Sequence, residues 1–135
     1  MPFFSASSRA ALSTADPRLV RVFLDVIRRV DCKILEGHRG REAQEAAFTA
    51  GASKLHYPHG KHNATPSRAV DAAPYPIDWS STPRNFERFA LFAGFVMGVA
   101  FDQGVRLRWG GDWDGDWDTT DEKFRDMVHF ELIDP

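Results

Sequence analysis

Three histidines, His56, His59 and His62, fall in the glycine- and proline-rich stretch from His56 to Pro76. Asp71 follows them on the apolar run Ala69-Val70-Asp71-Ala72-Ala73, and His129 stands far away in Asp126-Met-Val-His129-Phe-Glu-Leu. Neutral imidazole and carboxylate are what a borderline-soft cation such as Zn2+ takes at ~2.0–2.2 Å; a catalytic site needs three of them and an open position. One loop histidine and Asp71 supply two ligands, and His129 supplies the third. Spacing leaves open which loop histidine serves. The three recur at every third position, but Pro58 and Gly60 argue against a helix that would align them. Asp71 is hard to read as packing, because a carboxylate in an apolar strand is costly unless paired or metal-bound. Arg68 or Lys61 offers the structural alternative, a salt bridge.

Other reactive groups surround these. Asp126 stands three residues before His129, so a turn entering the last strand can aim both at one metal. It is a candidate general base, taking a proton from the attacking water and passing it to the departing amine. Glu131 is its rival, since residues 129 and 131 of an extended strand share a face. Arg39 carries a permanent charge and forked donors suited to an oxyanion or a carboxylate, or it pairs with Glu36 or Glu42. Gln44 is a candidate to orient substrate or merely packs, and Ser53 and Ser67 are candidates to donate to substrate backbone or to the groups behind the metal ligands. Trp113, with Trp109 and Trp117, offers an apolar wall, although Trp109 reads first as core. The run Asp112–Asp118 places carboxylates at alternate positions but fails the EF-hand template, with Trp117 at the glycine position and Lys123 at the glutamate position. A solvated acidic loop framing the cleft is expected there, with calcium regulation the lesser alternative.

The elements that must hold these groups are legible as periodicity and punctuation. Ser5–Ser13 is a short helix candidate capped by Ser5 or Ser7, and Asp16-Pro17 starts a better one that runs through Val30. Cys32–Leu35 is extended. Arg41–Ala50 is helical, with Gly51 as a left-handed stop. Ser53–Ser67 reads as a loop and Arg68–Ala73 as a buried strand. Ser81 or Thr82 caps a long helix with Pro83 near its start, whose small residues at 90, 93, 94, 98 and 100 would let strands approach closely. Val105–Trp109 and Val128–Leu132 read as strands, with one helical turn at Asp121–Phe124 between them. Short strands separated by helices and long loops predict an α+β domain with a small, mainly antiparallel sheet.

Composition narrows the function classes. The 135 residues fit one domain, 1–135, with a core large enough to stand without disulfides. A net charge of −2 and no basic cluster argue against nucleic acid as a partner. The single cysteine, Cys32, cannot form an internal disulfide, which fits a reducing compartment and a small buried side chain. The N-terminus lacks the basic and apolar regions of a secretory signal. The longest apolar run, Phe89–Phe101, falls short of the ~20 residues that a span needs, so membrane insertion is not expected. A monomer is expected.

Several segments, in order, resemble the zinc L-alanyl-D-glutamate peptidases and VanY-type carboxypeptidases that cut peptidoglycan stem peptides, many of them phage endolysins. They are Glu36-Gly-His-Arg39 with Gln44, Gly51-Ala-Ser-Lys54, Lys61-His-Asn63 and Pro66-Ser-Arg-Ala-Val-Asp71. Pro74-Tyr-Pro76, Arg108-Trp-Gly-Gly-Asp-Trp113 and Asp126-Met-Val-His129-Phe-Glu-Leu complete them, spread over roughly residues 35–132. One departure is Gly60, where the family usually has Ser before the Lys-His pair. The resemblance selects His62 among the loop histidines, giving a zinc site of His62, Asp71 and His129, and places the base at Asp126. It implies an endopeptidase acting on the L-alanyl–D-glutamate bond of peptidoglycan stem peptides. The alternatives are a D,D- or L,D-carboxypeptidase, which would need a cationic pocket from Arg39, Arg41, Lys54, Lys61 or Arg68, and an inactive wall-binding module. It further implies synthesis in the host cytoplasm without a signal peptide and release to the wall by a holin. No separate wall-binding domain is visible, so targeting falls to the catalytic domain.

Overall fold

A computed structural model describes residues 2–133. Its helices begin where the caps are written. Ser5 caps α1 (Ala6–Leu12), its hydroxyl accepting from the Ser8 N–H at 3.2 Å. Asp16 caps α2 (Pro17–Ile27), accepting from the Arg18 N–H at 2.9 Å, and Pro17 sits where its missing N–H costs nothing. Gly51, at φ 79°, closes α3 (Arg41–Thr49) in the left-handed conformation that favours glycine. Thr82 caps α4 (Pro83–Asp102) through the Asn85 N–H.

Four strands form one antiparallel sheet: β1 (Cys32–Glu36), β2 (Ala69–Pro74), β3 (Leu107–Gly110) and β4 (Asp126–Leu132). Their order is β1-β2-β4-β3, and the domain is α+β as the sequence predicts. Alternation along the strands separates two faces. Val70, Ala72, Leu107, Phe130 and Leu132 enter the core with Leu19, Val22 and Phe23 of α2 and with Phe92 and Val96 of α4. Phe130 lies edge-on to Phe23 at 5.7 Å and to Phe92 at 6.1 Å. Cys32 is buried in that core, and burial pushes its thiol up to about 12. The polar side chains of β2 and β4 fall on the other face. Register sets Asp71 directly opposite His129.

Several boundaries differ from the sequence reading. The helical turn expected over Asp121–Phe124 is irregular chain, and Lys61–Asn63 forms a 3-10 turn inside the predicted loop. The second helix stops at Ile27, short of Val30, and β3 begins at Leu107, past Val105. Gly94 and Gly98 face outward with open space about them, so close approach of α4 rests on Ala93 and Ala100 instead. The last strand starts at Asp126, not Val128. An irregularity in its pairing lets Gly110 oppose Asp126 while Trp109 opposes Phe130. Such bulges re-aim side chains. Among the described residues no helix is long and apolar enough to cross a membrane.

Candidate metal centre and its cleft

The loop histidine is delivered by a glycine. Gly37, just past β1, packs so tightly on the end of α1 that a Cβ there would overlap the Ala11 carbonyl oxygen and the Thr14 hydroxyl. Its own carbonyl thereby points inward and accepts from His62 Nδ1 at 2.7 Å and from the Ser67 hydroxyl at 3.2 Å. The Arg39 N–H donates to the His62 carbonyl at 2.8 Å, fastening the two loops together. His62 is 3% exposed, and its Nε2 lies 3.0 Å from Asp71 Oδ1.

From the other strand, His129 Nδ1 reaches the same Asp71 oxygen at 3.3 Å, while its Nε2 meets Glu131 Oε1 at 2.8 Å. Glu131 in turn accepts from Arg108 Nη2 at 3.1 Å on its other oxygen. His62, Asp71 and His129 are all buried, and their ligand atoms lie within 4.8 Å of one another. Burial works against the Asp71 charge, yet hydrogen bonds from His129 and His62 hold its carboxyl well below the usual carboxylate range. Burial also opposes charge on His129, but Asp71 and Glu131 outweigh it and raise that imidazole to about 9.

This arrangement fits a divalent cation. Each histidine spends one nitrogen as a donor, His62 to Gly37 and His129 to Glu131, and turns the other toward Asp71. With protons alone, both rings would have to be imidazolium to satisfy both sides. A dication replaces those two protons, takes the neutral rings and the carboxylate as ligands, and leaves every outer hydrogen bond in place.

Around the trio is a cleft of about 350 Å³ lined by Arg39, Lys54, Lys61, Trp113, Phe124, Asp126 and Glu131 among others. Asp126 faces it from the bulged start of β4, and burial and then the Asp71 carboxylate raise its pKa against the pull of His129, His62 and Arg39. Arg39 makes the ion pair with Glu36 that one of its sequence readings expected. It pairs with Glu36 through Nε at 2.9 Å and also lies 3.5 Å from Asp71 Oδ2. Gln44 is 1% exposed and fully engaged: its carbonyl oxygen accepts from Arg39 Nη1, and its amide donates to the Ser53 hydroxyl and the Leu55 carbonyl. It braces the cleft wall. Of the two readings of Ser67, the structure takes the one behind the ligands: its hydroxyl is wholly buried there and donates to the Gly37 and Ala69 carbonyls. Substrate cannot reach it. Trp113 lines the cleft with its ring 5.5 Å from that of His129, whereas Trp109 is buried.

The other histidines stand apart. His56 meets Glu45 at 2.7 Å and lies on the Phe48 ring, and His59 is exposed. The alternating aspartates serve first as acceptors within their own loop. Asp112 accepts from the Trp117 N–H, Asp114 from the Asp116 N–H, Asp116 from the Asp118 N–H and Asp118 from the Thr120 N–H, a ladder of turns in which the carboxylates of Asp112, Asp114 and Asp116 also lie within 4.8 Å of one another. Spacing could not single out two further residues. Asn63 links the Arg39 carbonyl, Gln44 and the Gly60 N–H, and Arg108 holds Glu131. Gly60 also finds its reason here: a Cβ there would come 2.8 Å from Asn63 Oδ1 and 3.0 Å from Gln44 Oε1. A serine at that position would press on the brace.

Comparison with known proteins bears on the same geometry. The model of the family described as phage L-alanyl-D-glutamate peptidase matches residues 1–133. The chain belongs to that family. Its fold is similar to that of a Serratia marcescens L-Ala D-Glu endopeptidase, ChiX, at 26% identity and a TM-score of 0.74, covering 98% of this chain and 91% of that one. No curated protein sequence matches the chain significantly. It is a peptidase of α+β architecture whose buried His62-Asp71-His129 cluster is a candidate metal centre.

Glu131 fixes which nitrogen of His129 is free. If the cluster holds a divalent cation, Glu131→Gln should therefore weaken its binding roughly 10–100-fold, as loss of a ligand's hydrogen-bonded partner does. Chelator competition on the folded variant checks this, and wild-type affinity would separate Glu131 from the centre.

Proposed function

We propose that the chain is a zinc-dependent endopeptidase that hydrolyses the L-alanyl–D-glutamate bond of peptidoglycan stem peptides, and that it serves a phage as an endolysin. The observation that carries this reading is the convergence of His62 Nε2, Asp71 Oδ1 and His129 Nδ1, each ring with its second nitrogen already paired. Two nitrogens and one oxygen, with room in the cleft beside them, suit a catalytic zinc. The family and the similarity to the Serratia endopeptidase support the bond that is cut. A phage-type product fits synthesis in the host cytoplasm and release to the wall through holin lesions.

Zinc held there would supply a Lewis acid for the scissile carbonyl and acidify water. The remaining work falls to the chain. Asp126 has no hydrogen-bond partner among the described residues and faces the cleft, so its carboxylate is free to take a proton from the attacking water and return it to the departing D-glutamate amine. Arg39 keeps its charge beside Asp71 and offers donors to the developing oxyanion or to a substrate carboxylate. Lys54 and Lys61 add positive charge to the wall that would face the acidic D-glutamate.

Two measurements check this reading directly. Purified protein should carry one zinc per chain, lost in His62→Ala and kept in His56→Ala; the reverse pattern would show that the wrong histidine was chosen. Peptidoglycan digested by the protein should gain new amino groups on D-glutamate, seen by mass spectrometry of the fragments. Release of terminal D-alanine without them would make it a carboxypeptidase.

Asp126→Asn should keep its zinc and lose roughly 10²–10⁴ in turnover, the worth of a positioned base. The metal-free variant should also be more heat-stable than metal-free wild type at neutral pH. Asp126 has a folded pKa above its unfolded one, so ionising it in the folded state costs stability. That cost is absent below the unfolded pKa and grows as pH rises through the folded one, so the gain should vanish in acid. Wild-type turnover in Asp126→Asn, or a loss that tracks lost zinc, would remove Asp126 from the chemistry.

A further inference from the structure

Three cations line the cleft beside the metal centre: Arg39, Lys54 and Lys61. The charge of Arg39 is already spent. Its guanidinium donates from Nε and Nη2 to Glu36 and from Nη1 to the Gln44 carbonyl oxygen, and it lies 3.5 Å from Asp71. A third carboxylate arriving there would be repelled by the two already present. What Arg39 has left suits a developing oxyanion better than an acid group of the substrate. Lys54 and Lys61, by contrast, have no carboxylate partner among the described residues.

Of these two, Lys54 is the one held in place. Its backbone lies between Ser53 and Leu55, and Gln44 grips both, donating to the Ser53 hydroxyl at 2.9 Å and to the Leu55 carbonyl at 2.6 Å. Its ammonium lies 4.9 Å from the centre of the Phe124 ring. Phe124 is anchored in turn: its carbonyl accepts from Trp113 Nε1 at 2.7 Å, and its ring stacks on that indole at 6.3 Å. The same indole lies 5.5 Å from the ring of His129. Lys54 thus spans from the loop after α3 to the chain between β3 and β4, and its charge rests on the wall that adjoins the metal centre. An aromatic face holds an ammonium without neutralising it. A lysine ordinarily gives up rotamer freedom when it grips a ligand, and here part of that loss is met beforehand. No ring and no acid holds the ammonium of Lys61 among the described residues.

The proposed substrate carries the group that this ammonium lacks. D-Glutamate has two carboxyls, and only one can continue the peptide. The other stays free near the scissile amide, as a carboxylate or, once modified, as a neutral primary amide. The two forms share a shape, so charge is what separates them, and a charge-assisted hydrogen bond is about twice as strong as a neutral one. We infer that Lys54 is the specificity-determining residue that reads this free carboxylate, so that the enzyme prefers stem peptides whose D-glutamate is unamidated. The inference rests on the L-alanyl–D-glutamate reading and deepens it, from the bond that is cut to the charge state of the residue beside it.

The test uses zinc-loaded protein and two short peptides that contain the L-Ala–D-Glu bond and differ only at the free carboxyl of D-glutamate, carboxylate in one and amide in the other. Wild type should cleave the carboxylate peptide with a kcat/KM roughly tenfold above that of the amide, the margin of a hydrogen bond between charged partners over a neutral one. That ratio should shrink as salt rises, because the contact is open to screening. Lys54→Met keeps the apolar stem on Phe124 and should bring the ratio close to unity, through KM more than kcat. Lys54→Arg should restore part of the preference, and Lys61→Met should keep it. Cleavage of both peptides by wild type at equal rates would overturn the inference and leave the L-alanyl–D-glutamate reading standing. So would an equal loss on both peptides in Lys54→Met, which would make Lys54 a brace of the cleft wall. A preference kept in Lys54→Met and lost in Lys61→Met would overturn the assignment to Lys54. Cleavage of neither peptide by wild type would overturn the bond assignment itself, and with it the inference.

Discussion

The structure depends on one buried carboxylate. Asp71 is set in a strand whose every residue is buried, and its Oδ1 is approached by His62 at 3.0 Å and His129 at 3.3 Å. An isolated charge there would cost several kcal/mol and would sooner be neutralised than kept. It is kept because both imidazoles hydrogen-bond to it and the Arg39 guanidinium lies at 3.5 Å. A dication among the three ligands would serve the same electrostatic need with neutral rings. The stability of the sheet and the fit of a cation to the candidate site thus rest on the same buried charge.

Much of the remaining architecture holds the partners of that carboxylate in place. Close packing of Gly37 on α1 turns a carbonyl onto His62, and Glu131, held by Arg108, fixes His129 from behind. Gln44 and Asn63 lock Arg39 against the loop that carries His62. These groups spend their polar atoms on one another, and each removes a degree of freedom from a neighbour that faces the cleft. Preorganisation of this kind lets a small domain keep several charged groups close together without their collapsing into mutual salt bridges. Asp126 is the exception: it is left unpaired, partly buried and repelled by Asp71, a local cost of the sort that functional sites carry.

The cleft mixes charge with apolar surface: Arg39, Lys54 and Lys61 line it together with Trp113 and Phe124, and Lys54 Nζ lies 4.9 Å from the Phe124 ring centre. A groove along β3 is lined by Met97, Leu107 and Trp117 among others. The acidic loop shapes the groove from outside. Its alternating aspartates serve as acceptors for amides two residues on, so their pattern reflects loop geometry before any ligand.

The sequence by itself determined the residue types of the metal centre and most of the elements that carry them. Asp16-Pro17, Thr82-Pro83 and Gly51 mark helix ends by local chemistry, and Asp71 in an apolar strand announces a buried charge that needs partners. The resemblance over residues 35–132 distinguished His62 from His56 and His59, which spacing could not do. Tertiary structure decided the rest, because it depends on register. Strand alternation alone would turn Asp126 away from His129, three residues on; the irregular pairing of Gly110 with Asp126 brings it round to the cleft. Ser67 and Gln44 look like substrate contacts until burial shows their polar atoms already spent. Glu131 and Arg108 face each other across β4 and β3, a pairing that no local signal carries. Residue type and short-range spacing are written in the chain, whereas which side chains meet across a sheet is fixed only when the strands have paired.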